Sequence, residues 1–255
     1  MKIIAVIPAH LASVRFPRKI LHKIHGLPMI EHVRRRALLS QKISDVFVAT
    51  CDEEIADLVS KNGGNVIMTA KSHKNGTTRV SEAVHNIDCS HVLLLQGDEP
   101  LLLPSDIDLV AQEIINSPDI DSWNATGPID DPAELDRHSF VKCAVSHLNY
   151  IMLCFRRSPC YSDLTHQQVF IRKILGIIAY RKEFLIKIAA LDESALEKAE
   201  FIEQMRIIEN NYKLKSVPFN SSLPSVNEPN EVNVVLDFIK KSSSQQIILS
   251  KTLNS

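Results

Sequence analysis

The sequence predicts an α/β fold, a mainly parallel sheet with a β-rich lobe added to it, and three observations carry that prediction. Short apolar runs rich in isoleucine, valine and leucine, at 2–7, 45–50, 65–69 and 91–95, alternate with segments of helical periodicity, the βαβ rhythm of a parallel sheet. The fourth run stops abruptly at Gln96-Gly97-Asp98-Glu99-Pro100, as a buried strand does when it delivers carboxylates to the carboxyl edge of a sheet. After Pro118 helical segments thin out and extended ones follow one another, which marks the added lobe.

Taken in order, 2–7 suits a central strand covered on both faces. A loop with two prolines and several cations follows, from Pro8 to Lys19. Pro28 opens a helix whose Met29, Ile30, Val33 and Ala37 recur at helical spacing, so the cluster Arg34-Arg35-Arg36 is expected on its solvated face. The second strand (45–50) leads into a helix over 53–61 that ends at Asn62-Gly63-Gly64, residues that tolerate a left-handed cap. The third strand (65–69) precedes a polar stretch, His73 to Arg79, that enters a helix through Val80, Ala83 and Val84. The fourth strand feeds Asp98, and 105–116 is the helix after it. Beyond lie extended segments at 123–126, 141–146, 150–155 and 173–180. A single amphipathic helix is expected over 196–210, a strand near 214–217, a last helix over 228–239 and a frayed, serine-rich tail over 241–255. The whole is expected as one domain over 1–240: a nucleotide half to about 118, a β-rich part to about 180, and a return to the main sheet.

The chain has 255 residues, 45% of them apolar and 23% charged, enough to bury a sizeable core. A formal net charge of −1 gives no electrostatic case for nucleic acid or an anionic membrane as the main partner. The five cysteines form no Cys-x-x-Cys pair, which predicts free thiols in a reducing compartment. Residues 1–7 are too short for a signal segment and no apolar run reaches membrane-spanning length, so a cytoplasmic location is expected. The scattered histidines His22, His25, His32, His73, His85 and His138 read as loop or helix-surface residues rather than zinc ligands, and Trp123 as a core or dimer-interface residue.

Two stretches carry chemistry. Asp98 is read as the chemical centre, against the plainer reading of its segment as a surface turn capping the next helix. Arg15 and Lys19 can grip phosphates, Arg by forked hydrogen bonds and Lys as a point charge, against the plainer reading of a solvated basic loop. The dinucleotide and P-loop glycine patterns are missing, which argues against a nicotinamide enzyme. Gly76 permits close backbone approach, and Thr77 and Thr78 can cap a helix or bond a ligand.

Together, Pro8-Ala9-x-x-Ala12-Ser13-x-Arg15-Phe16-Pro17-x-Lys19, Gly76-Thr77-x-Arg79, Gln96-Gly97-Asp98-Glu99-Pro100, Phe155-x-Arg157, Leu175-Gly176 and Glu203-Gln204-x-Arg206 resemble the 3-deoxy-manno-octulosonate (KDO) cytidylyltransferases in order and spacing. The resemblance implies a Rossmann-like sheet of nucleotidyltransferase type with an inserted β-rich dimerisation lobe. It implies transfer of a cytidylyl group from CTP to KDO or a related sugar acid such as 8-amino-KDO, with pyrophosphate released, for lipopolysaccharide synthesis. Arg15, Lys19 and Asp98 are then the catalytic set. Pro8, Ala9 and His10 would receive the nucleotide with Arg15 and Lys19, as would Asn75, Gly76, Thr77, Arg79 and Gln96. Gln96, Arg157 and Gln204 would face the sugar acid, and Asp98 with Asn227 would hold Mg2+. The resemblance also implies a homodimer.

The chain departs from that family on the ligand side. Asn227 stands where a second acidic metal ligand is usual, His10 where an arginine is, Ile174 where a histidine is, Arg156 where a serine is, and Cys51 where an aspartate is. These departures motivate a second expectation, a non-catalytic or weakened paralogue that binds nucleotide or a partner protein.

Overall fold

Strand β1 (Ile3–Ala9) is buried along almost its whole length because it lies between two parallel neighbours and is covered on both faces. The computed structural model describes residues 1–160 and 162–254, and the chain divides into two units, 1–112 with 223–255 and 113–222. The first unit continues through a short hairpin, β2 (Lys23–Ile24) and β3 (Leu27–Pro28), then α1 (Met29–Leu38), β4 (Asp45–Thr50), α2 (Glu53–Lys61), β5 (Asn65–Met68), α3 (Gly76–Val84), β6 (His91–Leu95) and α4 (Pro104–Asn116). Its strands pair in parallel in the order β6-β1-β4-β5. Every residue of β6 is buried, and the chain leaves its carboxyl end directly into Gln96–Pro100. Helix α2 ends at Gly63, whose φ of +71° is the left-handed cap that the sequence predicts.

Helix α1 departs from expectation. Its arginines are not a solvated face: Arg34 and Arg36 are buried, and so, fully, is Glu31. Arg34 forks onto the Glu31 carboxylate with bonds of 2.8 and 2.7 Å, and Arg35 adds a third of 3.0 Å. The same guanidiniums finish other elements, Arg34 on the Asn62 carbonyl (2.9 Å) and Arg36 on the Leu102 carbonyl (3.2 Å). Apolar periodicity assigns charged positions to solvent and is blind to a buried carboxylate on the same helix.

His32, expected at a surface, is fully buried on α1, and its Nε2–H donates to the Ile24 carbonyl at 2.7 Å. Burial holds its pKa down to about 4, with the nearby Arg36 adding to the effect. The folded-state value lies below that of the unfolded chain. The stability this implies is therefore complete above about pH 6.5 and lost as pH falls toward 4, a contribution of about 3 kcal/mol. Urea unfolding at pH 7 and pH 4.5 is expected to show this loss, and His32→Gln to flatten it; an unchanged slope in the variant would contradict the assignment.

The second unit is built on β7 (Ser122–Gly127), β8 (Lys142–Val145), β9 (Ile151–Phe155), α5 (Leu164–Phe170), β10 (Ile171–Arg181), α6 (Lys182–Ala189), α7 (Ala195–Glu200), α8 (Gln204–Glu209) and β11 (Lys215–Pro218). Long β10 pairs antiparallel with both β7 and β8, β9 extends the sheet beyond β8, and β11 joins β7 in parallel. Residues 181–222 lie in this unit. Trp123 is fully buried and belongs to the core. The helix expected over 196–210 is two helices, α7 and α8, because Phe201 takes the left-handed region at φ 55° and closes α7. Buried Glu197 of α7 then receives a forked pair of bonds, 2.7 and 2.6 Å, from Arg206 of α8.

The chain returns to the first unit through α9 (Glu231–Lys241) and α10 (Ser243–Asn254). The tail expected to fray is therefore a helix. Its buried Gln245 accepts from Arg36 at 2.7 Å and donates to the Leu101 carbonyl at 2.8 Å, so α10 braces the segment just after Pro100. Val226, Val232, Val235 and Ile239 pack with Ile24, Met29 and Leu101 in a core that also receives Phe16 from the first loop.

Candidate active site

At the carboxyl ends of β1, β4 and β6 the first unit encloses a cleft of about 550 Å³. Of the residues expected to hold a nucleotide, Pro8, Ala9, His10, Lys19, Asn75, Gly76, Arg79 and Gln96 line it, together with Asp98. Its wall also contains residues to which sequence reasoning gave no role, chiefly Asp52, Lys71, His73 and Lys74. Thr77 is buried in the first turn of α3, outside that wall. The Gly76 backbone lies so close to Pro8 that a Cβ there would meet the proline ring at 3.2 Å, the close approach that the sequence suggests.

The first loop keeps Arg15 and Arg18 exposed but is anchored at several points. Phe16 anchors it in the core, the Leu11 amide donates to Asp52 at 2.9 Å, and Arg18 pairs with Glu54. Lys19 is thereby placed on Asp98, Nζ to carboxylate oxygen 2.5 Å, and within 3.3 Å of the Val226 carbonyl. Asp98 is in turn fixed by its backbone, which accepts from the Val226 amide at 3.0 Å. Arg15 donates to the Asn227 amide oxygen at 3.3 Å. Arg15 and Asn227 thus meet each other beside the segment that holds Lys19 and Asp98, outside the cleft wall proper.

The opposite wall is the stretch before α3. Asn75 caps that helix, its Oδ1 accepting from the Thr78 amide at 2.9 Å, so the capping reading of this residue holds while its side chain also faces the cleft. Arg79 is buried and donates to Thr69 at 2.7 Å. Glu82 ties the same stretch down by accepting from the Ala70 amide at 3.2 Å and pairing with His73, whose hydrogen bond holds the carboxyl below its usual range.

Charge in the cleft is sorted by environment. Burial, reinforced by the neighbouring Asp98 carboxylate, pushes Glu99 up to about 8, while Lys19 opposes the shift. At neutral pH Glu99 is therefore mostly protonated. Partial desolvation and the Arg79 guanidinium hold His10 below its ordinary value, with Asp52 opposing.

The sugar-acid candidates of the second unit sit in different surroundings. Arg157 is exposed just beyond β9. Gln204, at the start of α8, is buried and donates to the Asn124 side-chain oxygen at 3.0 Å. Ile174 lies in β10, where the register against β7 shifts.

Among the described residues no group of three or more His, Cys, Asp or Glu side chains can hold a metal ion. Asp98 supplies one hard carboxylate at the cleft, the kind of ligand by which magnesium is commonly held when substrate phosphate oxygens and water complete its coordination.

A sequence model of the family described as cytidylyltransferase matches residues 4–216. A 3-deoxy-manno-octulosonate cytidylyltransferase from Geotalea daltonii is 35% identical over 251 residues, covering 94% of this chain and 99% of that protein. The protein of the same name from Chlorobium phaeobacteroides strain BS1 is 36% identical over 239 residues, 92% of this chain and 96% of its own. A solved structure of CMP:2-keto-3-deoxy-manno-octonic acid synthetase complexed with CTP superposes with a TM-score of 0.87 at 32% identity, over 94% of this chain and 99% of that one.

Proposed function

Because this chain belongs to the cytidylyltransferase family, we propose that it transfers a cytidylyl group from CTP to KDO or a closely related 3-deoxy sugar acid, releasing pyrophosphate. The observation that carries this reading is the cleft itself, in which Lys19, Arg79 and Asp98 converge beside the Pro8 and Gly76 backbones. A triphosphate needs cations to neutralise the leaving pyrophosphate and a fixed frame to hold the α-phosphorus in line with its attacker. Lys19 and Arg79 in the cleft wall meet the first need, with Arg15 at its edge beside Asn227. The second is met by the braced turn at Asp98 and by the Asn75–Arg79 helix start, both held by bonds that exist before any ligand arrives. Magnesium, held by Asp98 with phosphate oxygens, would spread the developing charge and make the sugar hydroxyl more acidic.

Gln96 would serve both substrates, and in the second unit Arg157 offers a fork for the sugar's carboxylate while Gln204 offers an amide. The homodimer belongs to the same proposal, supported by the exposed Leu148, Met152 and Val169 of the second unit. So does a cytoplasmic setting in lipopolysaccharide synthesis, supported by the five free cysteines. The non-catalytic alternative is not favoured, since the similar proteins carry an enzyme's name over nearly the whole chain. With CTP, magnesium and a panel of KDO, its 8-amino analogue and sialic acid, pyrophosphate release is expected with an eight-carbon acid; silence across the panel would contradict the reading.

A further inference from the structure

Arg156 stands where the family resemblance places a serine, and it is the most heavily used side chain around the end of β9. Its Nε donates to the Glu200 carbonyl at 2.8 Å, Nη1 to the His138 carbonyl at 2.9 Å and Nη2 to the Phe201 carbonyl at 3.3 Å, while its backbone amide donates to the Glu200 carboxylate at 2.9 Å. Two of those carbonyls form the carboxyl end of α7, where partial negative charge collects and a cation is favoured. Lys142 closes the arrangement from the other side, donating to the carbonyls of Arg137 and of Arg156 itself. Two residues earlier, on β9 itself, the Cys154 amide donates to the Met205 sulfur at 3.2 Å. The end of β9 is therefore stitched to the break between α7 and α8, where Phe201 holds its left-handed conformation.

The residues on either side of this seam are Arg157, next in sequence to the clamp, and Gln204, three residues beyond Phe201. We propose that Arg156 is a positioning residue that fixes Arg157 and Gln204 relative to each other, and so sets which sugar acid the chain accepts. The inference rests on the sugar-acid roles proposed above for these two residues. A serine at 156 cannot span to three carbonyls; the guanidinium fork can, and lysine, with one ammonium, can satisfy part of the set. The carbonyls that the clamp holds, those of Glu200, His138 and Phe201, all belong to the second unit, so its loss is expected to be read on the sugar acid.

Steady-state kinetics of Arg156→Ala, Arg156→Ser and Arg156→Lys test this. The expected result is a KM for the sugar acid raised on the order of tenfold in the alanine and serine variants, with partial recovery in the lysine variant, and a KM for CTP within about twofold of the parent. The ratio of turnover between KDO and its 8-amino analogue is expected to change with it. Amide hydrogen exchange is expected to rise at 201–204 in the same variants. Equal shifts in both KM values, or none in either, would overturn the proposal while leaving the transferase reading standing. Should the alanine variant fail to fold, the lysine variant decides on the same ratio. A parent protein that turns over no sugar acid would remove the reading and this inference together.

Discussion

Asp98→Asn is expected to lower turnover about 1000-fold while the protein stays folded, the scale of losing one essential charge from a site that works by electrostatic stabilisation. The substitution keeps the shape of the side chain and its backbone bond to Val226, and removes only the negative charge. Two consequences follow from the geometry. The cleft loses its carboxylate ligand for magnesium, and neighbouring Glu99, which is not part of the cleft wall, is not placed to take over. Lys19, bonded to Asp98 at 2.5 Å, loses its ionic partner and is left with a neutral amide oxygen and the Val226 carbonyl at 3.3 Å, so the cation that meets the phosphates is less firmly placed. Pyrophosphate release at saturating CTP and magnesium measures the effect, and a variant within tenfold of the parent would show that Asp98 is not the centre of the chemistry.

Glu31→Gln is expected to be the most damaging single change to stability away from the cleft, at about 3–5 kcal/mol. The fully buried carboxylate takes three bonds from two guanidiniums, and Arg34 is itself buried. An amide presents one acceptor where the fork needs two oxygens and leaves the buried charge of Arg34 uncompensated. In a chain of this size the loss corresponds to a fall in Tm on the order of 10 °C. The double change Glu31→Met with Arg34→Met is expected to recover much of it, since burying neither charge avoids both desolvation costs. A loss below about 1 kcal/mol in the single variant would mean that the ion pair contributes little.

Glu31 also shows where the sequence stops being readable. The four parallel strands of the first unit are legible because a buried strand must be a short apolar run, and the abrupt stop at Gln96–Pro100 shows where its edge lies. The arginines of α1 are not legible: their partners include Asn62, Leu102 and Gln245, and only the folded chain brings these together. The same holds for α10. Its serines look like a disordered tail, yet one of them, Ser242, sits at the helix start and accepts from the Gln245 amide at 3.4 Å. The two-helix break at Phe201 escapes detection for a different reason, because a left-handed phenylalanine carries no glycine or proline to mark it.

In the cleft, legibility follows residue type. Lys19 and Asp98 stand out as charges beside an apolar run, and the structure places them on each other. Asp52, which holds the first loop through the Leu11 amide, and Glu82, which holds the facing loop, look in the sequence like ordinary helix-start and helix-surface acids. Their importance lies in which backbone amide each one meets.

Release of pyrophosphate can in principle come from hydrolysis of CTP, so formation of the new bond is the most direct test of the account. Phosphorus NMR of the protein with CTP, magnesium and KDO is expected to show the CTP signals falling as one phosphodiester signal and free pyrophosphate rise in equal amounts. CTP left unchanged, or converted to CMP and pyrophosphate with no phosphodiester, would contradict the assignment of this chain as a sugar-acid cytidylyltransferase.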